Sequence, residues 1–156
     1  MVPADARVGD AAAAVIRVPG GRYLMQLRDR KPDIWYPGCW GCFGGATDPG
    51  EGPFEALQRE LKEEIELEVR DARLLSRLEF DFGPLGLGKG WRAYYLVDIG
   101  EAQLARLRLH EGERMEALTY AQLVSGIPVV PYDAFAIHLV GSSAAAIALP
   151  MYNSPP

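Results

Sequence analysis

The sequence GATDPGEGPFEALQRELKEEIEL, residues 45–67, carries the densest concentration of charge in the chain. Seven glutamates lie between Glu51 and Glu68, and they make up a third of the 21 acidic residues. In that interval only Arg59 and Lys62 oppose them. Neighbouring carboxylates repel one another unless a bound cation or solvent relieves their charge. The stretch therefore indicates either a solvated acidic surface or a cation site.

The spacing of its apolar residues predicts that most of this stretch is a helix. Pro53 suits a first helical turn, and the helical period runs from Phe54 to about Leu67. At about 100° per residue, the apolar side chains on one side fall within roughly 80° of one another. These side chains are Phe54, Leu57, Leu61 and Ile65. Glu60, Glu63 and Glu64 share a neighbouring arc of roughly 100°, so three carboxylates converge at the edge of the predicted core.

Two interpretations of this acidic arc remain open on the residues alone. One is a solvated face, steadied by i,i+4 pairs such as Arg59–Glu63. The other is a Mg²⁺ site, because Mg²⁺ takes oxygen ligands and shares its remaining positions with waters and substrate phosphates. The Gly44-Gly45 turn before the helix lets the backbone approach closely and offers a carbonyl ligand. A bound cation would also offset the repulsion that otherwise raises the pKa of crowded carboxylates.

The spacing of the stretch resembles the Nudix box. Gly45 is followed by five residues, then by Glu51, seven further residues and the run Arg59-Glu60-Leu61-Lys62-Glu63-Glu64. The match has one departure, because Glu66 stands where the family has glycine, ahead of the expected aliphatic Leu67. That glycine normally ends the helix in a left-handed conformation. We therefore expect an altered helix exit with the carboxylates retained.

The resemblance implies a fold and an activity. The fold is α/β, a Nudix-type α/β/α sandwich with a mixed β-sheet between helices. The activity is hydrolysis of a phosphoanhydride bond in a nucleoside diphosphate derivative, with Mg²⁺ as the cofactor and Mn²⁺ as an alternative. Two rival functions come from other classes of protein. One is a non-catalytic nucleotide-binding or regulatory module on the same fold, which loss of box carboxylates would favour, and the other is a structural protein with an acidic helix.

The resemblance also implies roles for individual residues of the box. The implied metal ligands are Glu60, Glu63, Glu64 and the carbonyl of Gly44. One of these glutamates would also act on the attacking water. Arg59 would orient the carboxylates, whereas Glu51 and Gly45 would support the loop.

Residues outside the box supply further candidates, each with an ordinary structural alternative. Glu111 and Glu113 flank Gly112 in a polar loop, where either is a candidate general base or simply a surface residue. Arg28 follows a predicted strand and is the preferred phosphate-binding candidate. Trp35 lies beside polar residues and is a candidate to stack on a base, with burial as the alternative. The aromatic loop and a glycine-rich tip favour nucleotide sugars or ADP-ribose-like substrates over nucleoside triphosphates.

The chain as a whole predicts one domain over residues 1–156. The predicted strands are Ala11–Val18, Tyr23–Leu27, Trp40–Gly45, Leu74–Phe82 and Trp91–Val97. Besides the acidic helix, helices are predicted at Ala121–Val124 and Asp133–Ile147, after a less defined Gln103–Leu109 segment. The tip Gly83–Gly90 predicts a long hairpin connection. Residues 1–10 and 151–156 are expected to be flexible termini.

Composition narrows the classes of partner and compartment. With 24% charged and 49% hydrophobic residues, the chain has the make-up of an ordinary soluble domain. Its net charge of −5 argues against nucleic-acid polymers and anionic membranes as partners. The partner that the resemblance implies is a small-molecule nucleotide. The sequence has neither the apolar core of a signal peptide at its start nor an apolar stretch of about 20 residues, so a cytoplasmic location is expected. A homodimer is left open.

The two cysteines, Cys39 and Cys42, have the Cys-x-x-Cys spacing of redox pairs and half zinc sites. A zinc site would need further ligands, and His110 and His138 are far away in sequence. A redox pair should open a helix, whereas these cysteines lie in a predicted strand that runs into a glycine turn. The preferred interpretation is two small reduced side chains in the core.

Overall fold

The computed structural model describes residues 8–142 and 151–153, which form eight strands, four α-helices and a short 3₁₀ helix at Gly83–Leu85. The strands are β1 (Ala11–Val18), β2 (Arg22–Leu27), β3 (Trp40–Gly41), β4 (Phe43–Ala46), β5 (Asp71–Asp81), β6 (Lys89–Asp98), β7 (Arg114–Thr119) and β8 (Met151–Asn153). The helices are α1 (Pro53–Ile65), α2 (Glu101–Leu104), α3 (Tyr120–Val124) and α4 (Pro131–Gly141). No described helix is both long enough and apolar enough to cross a membrane.

One mixed sheet organises the described residues. Its strand order is β3-β2-β1-β6-β5-β8, with β4 added to β1 and β7 added to β2. The β1–β6 pair is parallel, and the other strand pairs are antiparallel. The predicted mixed sheet is therefore confirmed.

Strand β1 is buried on both faces, which gives the molecule its three layers. Ala12 and Ala14 pack into the core that contains the apolar stripe of α1. Ala13 and Val15 point the other way, because successive strand side chains alternate, and they pack with residues of α3 and α4. Helices thus cover both faces of the sheet, and the predicted α/β/α sandwich is confirmed.

The pairing of β1 with two strands along one edge places the acidic helix. The first half of β1 pairs with β4, and the second half pairs with β2. Gly44 of β4 lies opposite Ala13 with a φ of +130°, and any Cβ there would overlap the carbonyl oxygen of Ala12. Only glycine tolerates this combination of backbone angle and close contact. The chain then turns through 47–52 into α1, which lies over the same part of the sheet.

Several element bounds differ from those predicted. The predicted strand Trp40–Gly45 is two strands, because Cys42 leaves the ladder and donates its N–H to Asp133 at 2.9 Å. Helix α1 ends at Ile65, two residues early, where Glu66 turns left-handed. Strand β7, which lines up beside β2, was not predicted.

The predicted ends of the chain also differ in part. Helix α4 begins at Pro131 and ends at Gly141, and residues 143–147 of the predicted helix lie outside the described residues. Residues 151–153 were expected to be flexible but pair with β5 as strand β8. At the other end, Asp10 accepts a hydrogen bond from the Trp91 N–H at 3.1 Å. Residues 1–7 and 154–156 lie outside the described part of the chain.

Candidate functional site

Arg59 of α1 connects the loop before the helix to the helix carboxylates. Its Nε and Nη2 donate to the two carboxylate oxygens of Glu51, each at 3.0 Å. Its Nη1 donates to Glu60 at 2.7 Å and to Glu63 at 3.3 Å, and Nη2 also donates to the carbonyl of Ala46 at 2.9 Å. A planar guanidinium with five donors can make such a set of contacts, whereas an ammonium cannot. Arg59 therefore fixes the relative positions of three carboxylates.

Glu51 anchors the loop that precedes the helix. Besides its two bonds from Arg59, it accepts the N–H of Asp48 at 2.9 Å. These contacts, with the hydrogen bond from Arg59 contributing most, lower the pKa of Glu51. Its carboxylate is therefore charged at neutral pH, as a structural partner of Arg59 requires.

Glu64 is the most deeply buried of the helix carboxylates. It is 5% exposed and accepts the N–H of Gly44 at 2.8 Å, so the close approach of β4 supplies its hydrogen bond. Burial raises the pKa of Glu64 to about 8. The Gly44 N–H and, to a smaller extent, the charge of Arg92 oppose that shift, and the nearby charges of Glu111 and Glu60 add to it. Glu64 is thus a carboxylate whose negative charge has little protein compensation.

Glu60 and Glu63 differ in their surroundings. The side chain of Glu60 is 17% exposed and lies against Gly45, where a Cβ would be 2.6 Å from its carboxylate. Burial raises the pKa of Glu60, Arg59 opposes the rise, and Glu63 and Glu111 add to it. Glu63 is 63% exposed and faces solvent. The predicted convergence of three carboxylates beside the core is present, but only two of them are shielded from water.

The donor set fits a hard divalent cation. In the described residues no three His, Cys, Asp or Glu side chains are already arranged to hold a metal ion, and Arg59 occupies one oxygen each of Glu60 and Glu63. The raised pKa values of Glu60 and Glu64 nevertheless have a shared cause, which is buried negative charge close to further negative charge. A cation bound between them would remove that cost, and oxygen donors are the ligands that Mg²⁺ and Mn²⁺ prefer.

The structure brings one of the two loop glutamates to this site. Glu111 lies close enough to raise the pKa of both Glu60 and Glu64. Its backbone carbonyl accepts from the Gln26 side chain at 3.0 Å, which ties the loop to β2. Glu113 instead faces Arg30, with Nε and Oε1 3.6 Å apart. Of the two candidate bases, only Glu111 is placed beside the helix carboxylates.

Arg28 and Trp35 lie in two different clefts. Arg28 donates its Nε to the carbonyl of Trp35 at 2.9 Å and lines a polar cleft of about 500 Å³ that also contains Glu111 and His110. The ring of Trp35 lines a second, aromatic cleft of about 220 Å³, beside Ala46 at the end of β4. The two clefts offer a charged surface and an apolar surface on either side of the 28–35 loop.

The aromatic cleft contains residues that were not predicted from the sequence. Phe80 and Phe82 stack with ring centroids 5.9 Å apart, and Tyr132 meets Phe80 edge-on at 5.7 Å. Arg92 also lines this cleft, next to buried Asp133. A signal for Arg92 was available, because strand alternation places it on the same face as the buried Tyr94. A charged residue on the buried face of a strand is uncommon and marks a site worth attention.

Glu66 ends α1 in the way that the family glycine would. Its φ of 57° and ψ of 28° are left-handed, and the N–H of Leu67 returns to the carbonyl of Leu61 at 3.1 Å. The Glu66 carboxylate contacts His110 Nε2 at 2.7 Å, and the His110 N–H donates to the carbonyl of Glu64 at 2.8 Å. The loop that carries Glu111 is thereby attached to the end of the acidic helix.

Neither cysteine contributes to the chemistry of the two clefts. Both are free thiols, and Cys42 is fully enclosed in the core under α4. Burial, and then the charge of Asp133, raise the pKa of the Cys42 thiol well above its ordinary value. A thiol held in its neutral form is a poor nucleophile and a poor metal ligand.

Comparison with known proteins gives one family and a consistent fold. The family model described as NUDIX domain matches residues 7–135. An 8-oxo-dGTP diphosphatase of Haemophilus influenzae is 35% identical over 82 residues, which are 50% of this chain and 56% of that protein. The matched part thus spans little more than half the length of that relative.

Two solved structures illustrate the likeness of the fold. A MutT NUDIX hydrolase from Burkholderia pseudomallei has a TM-score of 0.70 and 24% identity, covering 86% of this chain and 99% of that chain. The NUDIX domain of Shewanella oneidensis NrtR, complexed with ADP ribose, has a TM-score of 0.64 and 16% identity, covering 88% of each chain. At these identities the likeness concerns the fold alone.

Proposed function

Since the chain belongs to the NUDIX domain family, we propose that it is a metal-dependent hydrolase that cuts a phosphoanhydride bond in a nucleoside diphosphate derivative. The observation that carries the proposal is the arrangement around Arg59, which holds Glu51, Glu60 and Glu63 together. On a helix that only covers the surface, a buried carboxylate such as Glu64 beside other negative charges would simply cost stability. In a site that binds a cation together with a polyanion, the same buried carboxylate serves as a metal ligand.

The proposed division of labour follows from exposure and contacts. Glu60, Glu63, Glu64 and the Gly44 carbonyl would hold Mg²⁺ or Mn²⁺. When bound, the cation would balance the charge of the diphosphate and lower the pKa of a coordinated water. Arg59 orients the carboxylates, and Glu51 and Gly45 hold the loop against them. Because the protein mainly positions groups in such reactions, these supporting contacts are part of the activity.

A general base is proposed from the loop that follows β6 and α2. Glu111 is the favoured residue, because its charge is felt by both Glu60 and Glu64. It would accept the proton of the attacking water. Glu113 is the less favoured candidate because it faces Arg30. Arg28, in the same cleft as Glu111, would bind a substrate phosphate.

The substrate class is proposed from the two clefts. Trp35 and its aromatic neighbours offer flat apolar faces to a nucleobase, while the polar cleft takes the charged part of the molecule. Nucleotide sugars and ADP-ribose-like molecules suit this division. A nucleoside triphosphate is the second candidate, because the Haemophilus influenzae relative is an 8-oxo-dGTP diphosphatase.

The test is a substrate panel with metal and without it. Nucleotide sugars, ADP-ribose, dinucleoside polyphosphates and nucleoside triphosphates are incubated with Mg²⁺, with Mn²⁺ or with chelator, and phosphate is measured after added phosphatase or pyrophosphatase. We expect metal-dependent turnover of at least one compound. Glu60→Gln and Glu64→Gln should abolish it, because each removes a charged oxygen ligand.

Glu68→Gln is the matched control, since Glu68 is 72% exposed and pairs only with Lys62 in the described contacts. It should leave turnover unchanged. Binding of nucleotides without turnover of any compound would instead favour the non-catalytic nucleotide-binding or regulatory module. Equal loss of activity in Glu68→Gln would remove the assignment to the helix carboxylates.

A further inference from the structure

Arg92 of β6 is a charged side chain in the wall of an otherwise aromatic cleft. It is 16% exposed and lines the cleft together with Trp35 and Tyr132. Its Nε is buried and has no hydrogen-bond partner among the described residues. Its guanidinium instead lies over two rings, 5.1 Å from the centroid of Tyr132 and 5.6 Å from that of Tyr94. Ring faces do not satisfy N–H donors in the way that an oxygen or nitrogen acceptor does.

In the described part of the chain, the only carboxylate paired with Arg92 is that of Asp133, which already accepts two hydrogen bonds from other residues. Asp133 is 2% exposed, and its Oδ1 lies 3.6 Å from Arg92 Nε, beyond a good hydrogen bond. The same carboxylate accepts the Tyr94 hydroxyl at 2.6 Å and the Cys42 N–H at 2.9 Å. Asp133 therefore balances the charge of Arg92 without accepting a hydrogen bond from its Nε.

This charge balance selects the kind of acceptor that Arg92 suits. An arginine facing a phosphate normally contributes a full positive charge. Here the adjacent buried carboxylate neutralises that charge, so an anion gains little at this position. A neutral acceptor does not depend on the net charge of Arg92, so the Arg92–Asp133 pair does not weaken its binding. It can still accept hydrogen bonds from the guanidinium N–H groups. Arg92 thus suits an uncharged, planar group with acceptor atoms at its edge.

The cleft has the shape and lining for such a group. At about 220 Å³ it is smaller than the roughly 300–1,000 Å³ of pockets that enclose a whole drug-sized ligand. It therefore fits one ring system and leaves a sugar and phosphates outside. Trp35 and Phe82 have ring centroids 6.3 Å apart, and flat aromatic walls favour stacking on a base.

We propose that Arg92 binds the acceptor edge of a 6-oxopurine, donating to O6 and N7, while the base lies against the aromatic walls of this cleft. A guanidinium matches two adjacent acceptors, and guanine presents them at O6 and N7. Adenine presents a donor at the 6-position, which faces an arginine donor unfavourably. The inference deepens the proposed function and rests on it for the nucleotide class of the ligand. Among the proposed substrates it favours those that carry guanine, such as guanosine-linked nucleotide sugars, over ADP-ribose-like molecules.

The inference is tested by binding of nucleoside monophosphates, which have no anhydride bond and cannot be turned over. GMP, IMP and AMP are titrated into the full chain with Mg²⁺ present, followed by calorimetry and by fluorescence of Trp35 and Trp91, which line the cleft. We expect GMP and IMP to bind alike, because both carry O6 and N7. AMP should bind roughly ten- to hundredfold more weakly, the range of one lost bidentate base contact.

Arg92→Gln should remove this preference, since glutamine no longer presents a guanidinium and can pair with adenine. The double variant Arg92→Gln with Asp133→Asn removes both charges and serves if the single variant does not fold. Arg77→Gln is the control: Arg77 lies 4.3 Å over the ring of Trp91 but is exposed and does not line the cleft, so the preference should persist.

Equal binding of the three monophosphates, or binding of none, would overturn the inference. So would a preference for GMP that survives in the folded Arg92→Gln or double variant. These results are independent of catalysis. If the base preference is found but no nucleotide is hydrolysed with metal, the proposed function fails alone; hydrolysis without base preference removes only the role of Arg92.

Discussion

At the scale of single residues, Glu64 links stability to the proposed metal site. Burial raises its pKa from the ordinary 4.5 to about 8, so the folded protein favours its protonated form. The stabilisation from that proton is fully present below about pH 4.5 and is lost as the pH rises through about 8. We predict that the thermal midpoint of the metal-free protein falls between pH 5 and pH 9, as measured by calorimetry in chelator.

Glu64→Gln supplies the control for this slope, because glutamine keeps the hydrogen bond from Gly44 without titrating. Its thermal midpoint should fall less over the same pH range. Mg²⁺ should raise the wild-type thermal midpoint more at pH 8.5 than at pH 5.5. Deprotonated Glu64 binds the cation more tightly, and a ligand that binds the native state more tightly stabilises it more. Parallel pH profiles for wild type and variant would contradict the prediction.

The sequence predicted which carboxylates converge but not how each is solvated. A helical projection places Glu60, Glu63 and Glu64 in one arc because their angles depend only on position in the helix. Their exposure depends on what covers them. Gly44 closes over Glu64 and Gly45 over Glu60, whereas nothing described comparably covers Glu63. That difference arises from the pairing of β4 with β1, which is a contact between distant parts of the chain.

At the scale of elements, two adjacent glycines in β4 each allow the close approach of a different neighbour. A Cβ on Gly45 would lie 2.6 Å from the Glu60 carboxylate, which is the far end of a side chain and can give way without a backbone shift. A Cβ on Gly44 would overlap the backbone of β1 at a φ of +130°. We predict that Gly45→Ala keeps the free energy of unfolding within about 1 kcal/mol but lowers metal-dependent turnover at least tenfold.

Gly44→Ala should instead lower the free energy of unfolding by about 3 kcal/mol, because the backbone must shift or strain. Urea denaturation measures the stabilities, and the assay that identifies a substrate measures turnover. If both variants lost stability equally, the distinction between a loop that positions Glu60 and a strand that carries the fold would be wrong.

The exit of helix α1 gives a second prediction at this scale. Glu66 adopts a left-handed conformation that costs a residue with a Cβ about 1–2 kcal/mol. The exposed pair that Glu66 forms with His110 offsets at most about 1 kcal/mol of this conformational cost. Glu66→Gly and Glu66→Ala both remove the pairing, but only glycine removes the strain. We predict that Glu66→Gly is more stable than Glu66→Ala by about 1 kcal/mol in urea denaturation, and equal stabilities would contradict this.

At the scale of the whole molecule, local patterns predicted the layers, but distant pairings could not be read from them. The hairpin β1–β2, the acidic helix and the β5–β6 pair follow from short periodic runs. Strand β7 was missed although residues 114–117 alternate polar and apolar side chains, because this short run directly follows the polar loop 110–113 and its partner β2 is distant in sequence. Strand β8 was missed because three residues next to a chain end carry no periodic signal.

The Arg92–Asp133 pair was also missed, because it joins two distant parts of the chain. Asp133 lies on α4, yet it contacts the chain between β3 and β4 through Cys42 and strand β6 through Tyr94. It therefore fastens the helical layer to the sheet. No pattern in the sequence indicates that residues 41 positions apart share one buried pair, because the contact exists only once the layers have assembled.

The final prediction tests whether this pair holds the layers together. Asp133→Ala leaves the buried guanidinium of Arg92 without its counter-charge and two donors without an acceptor. Breaking a buried pair in this way costs about 3–5 kcal/mol, so the free energy of unfolding should fall by that amount in urea denaturation. Asp98→Ala is the matched control, because Asp98 pairs with Arg17 at 2.6 Å but is 53% exposed. Its loss should be about 0–1 kcal/mol, as for other surface pairs, and the double variant Arg92→Gln with Asp133→Asn should be more stable than Asp133→Ala. Similar small losses in Asp133→Ala and Asp98→Ala would show that α4 is held by its apolar contacts alone.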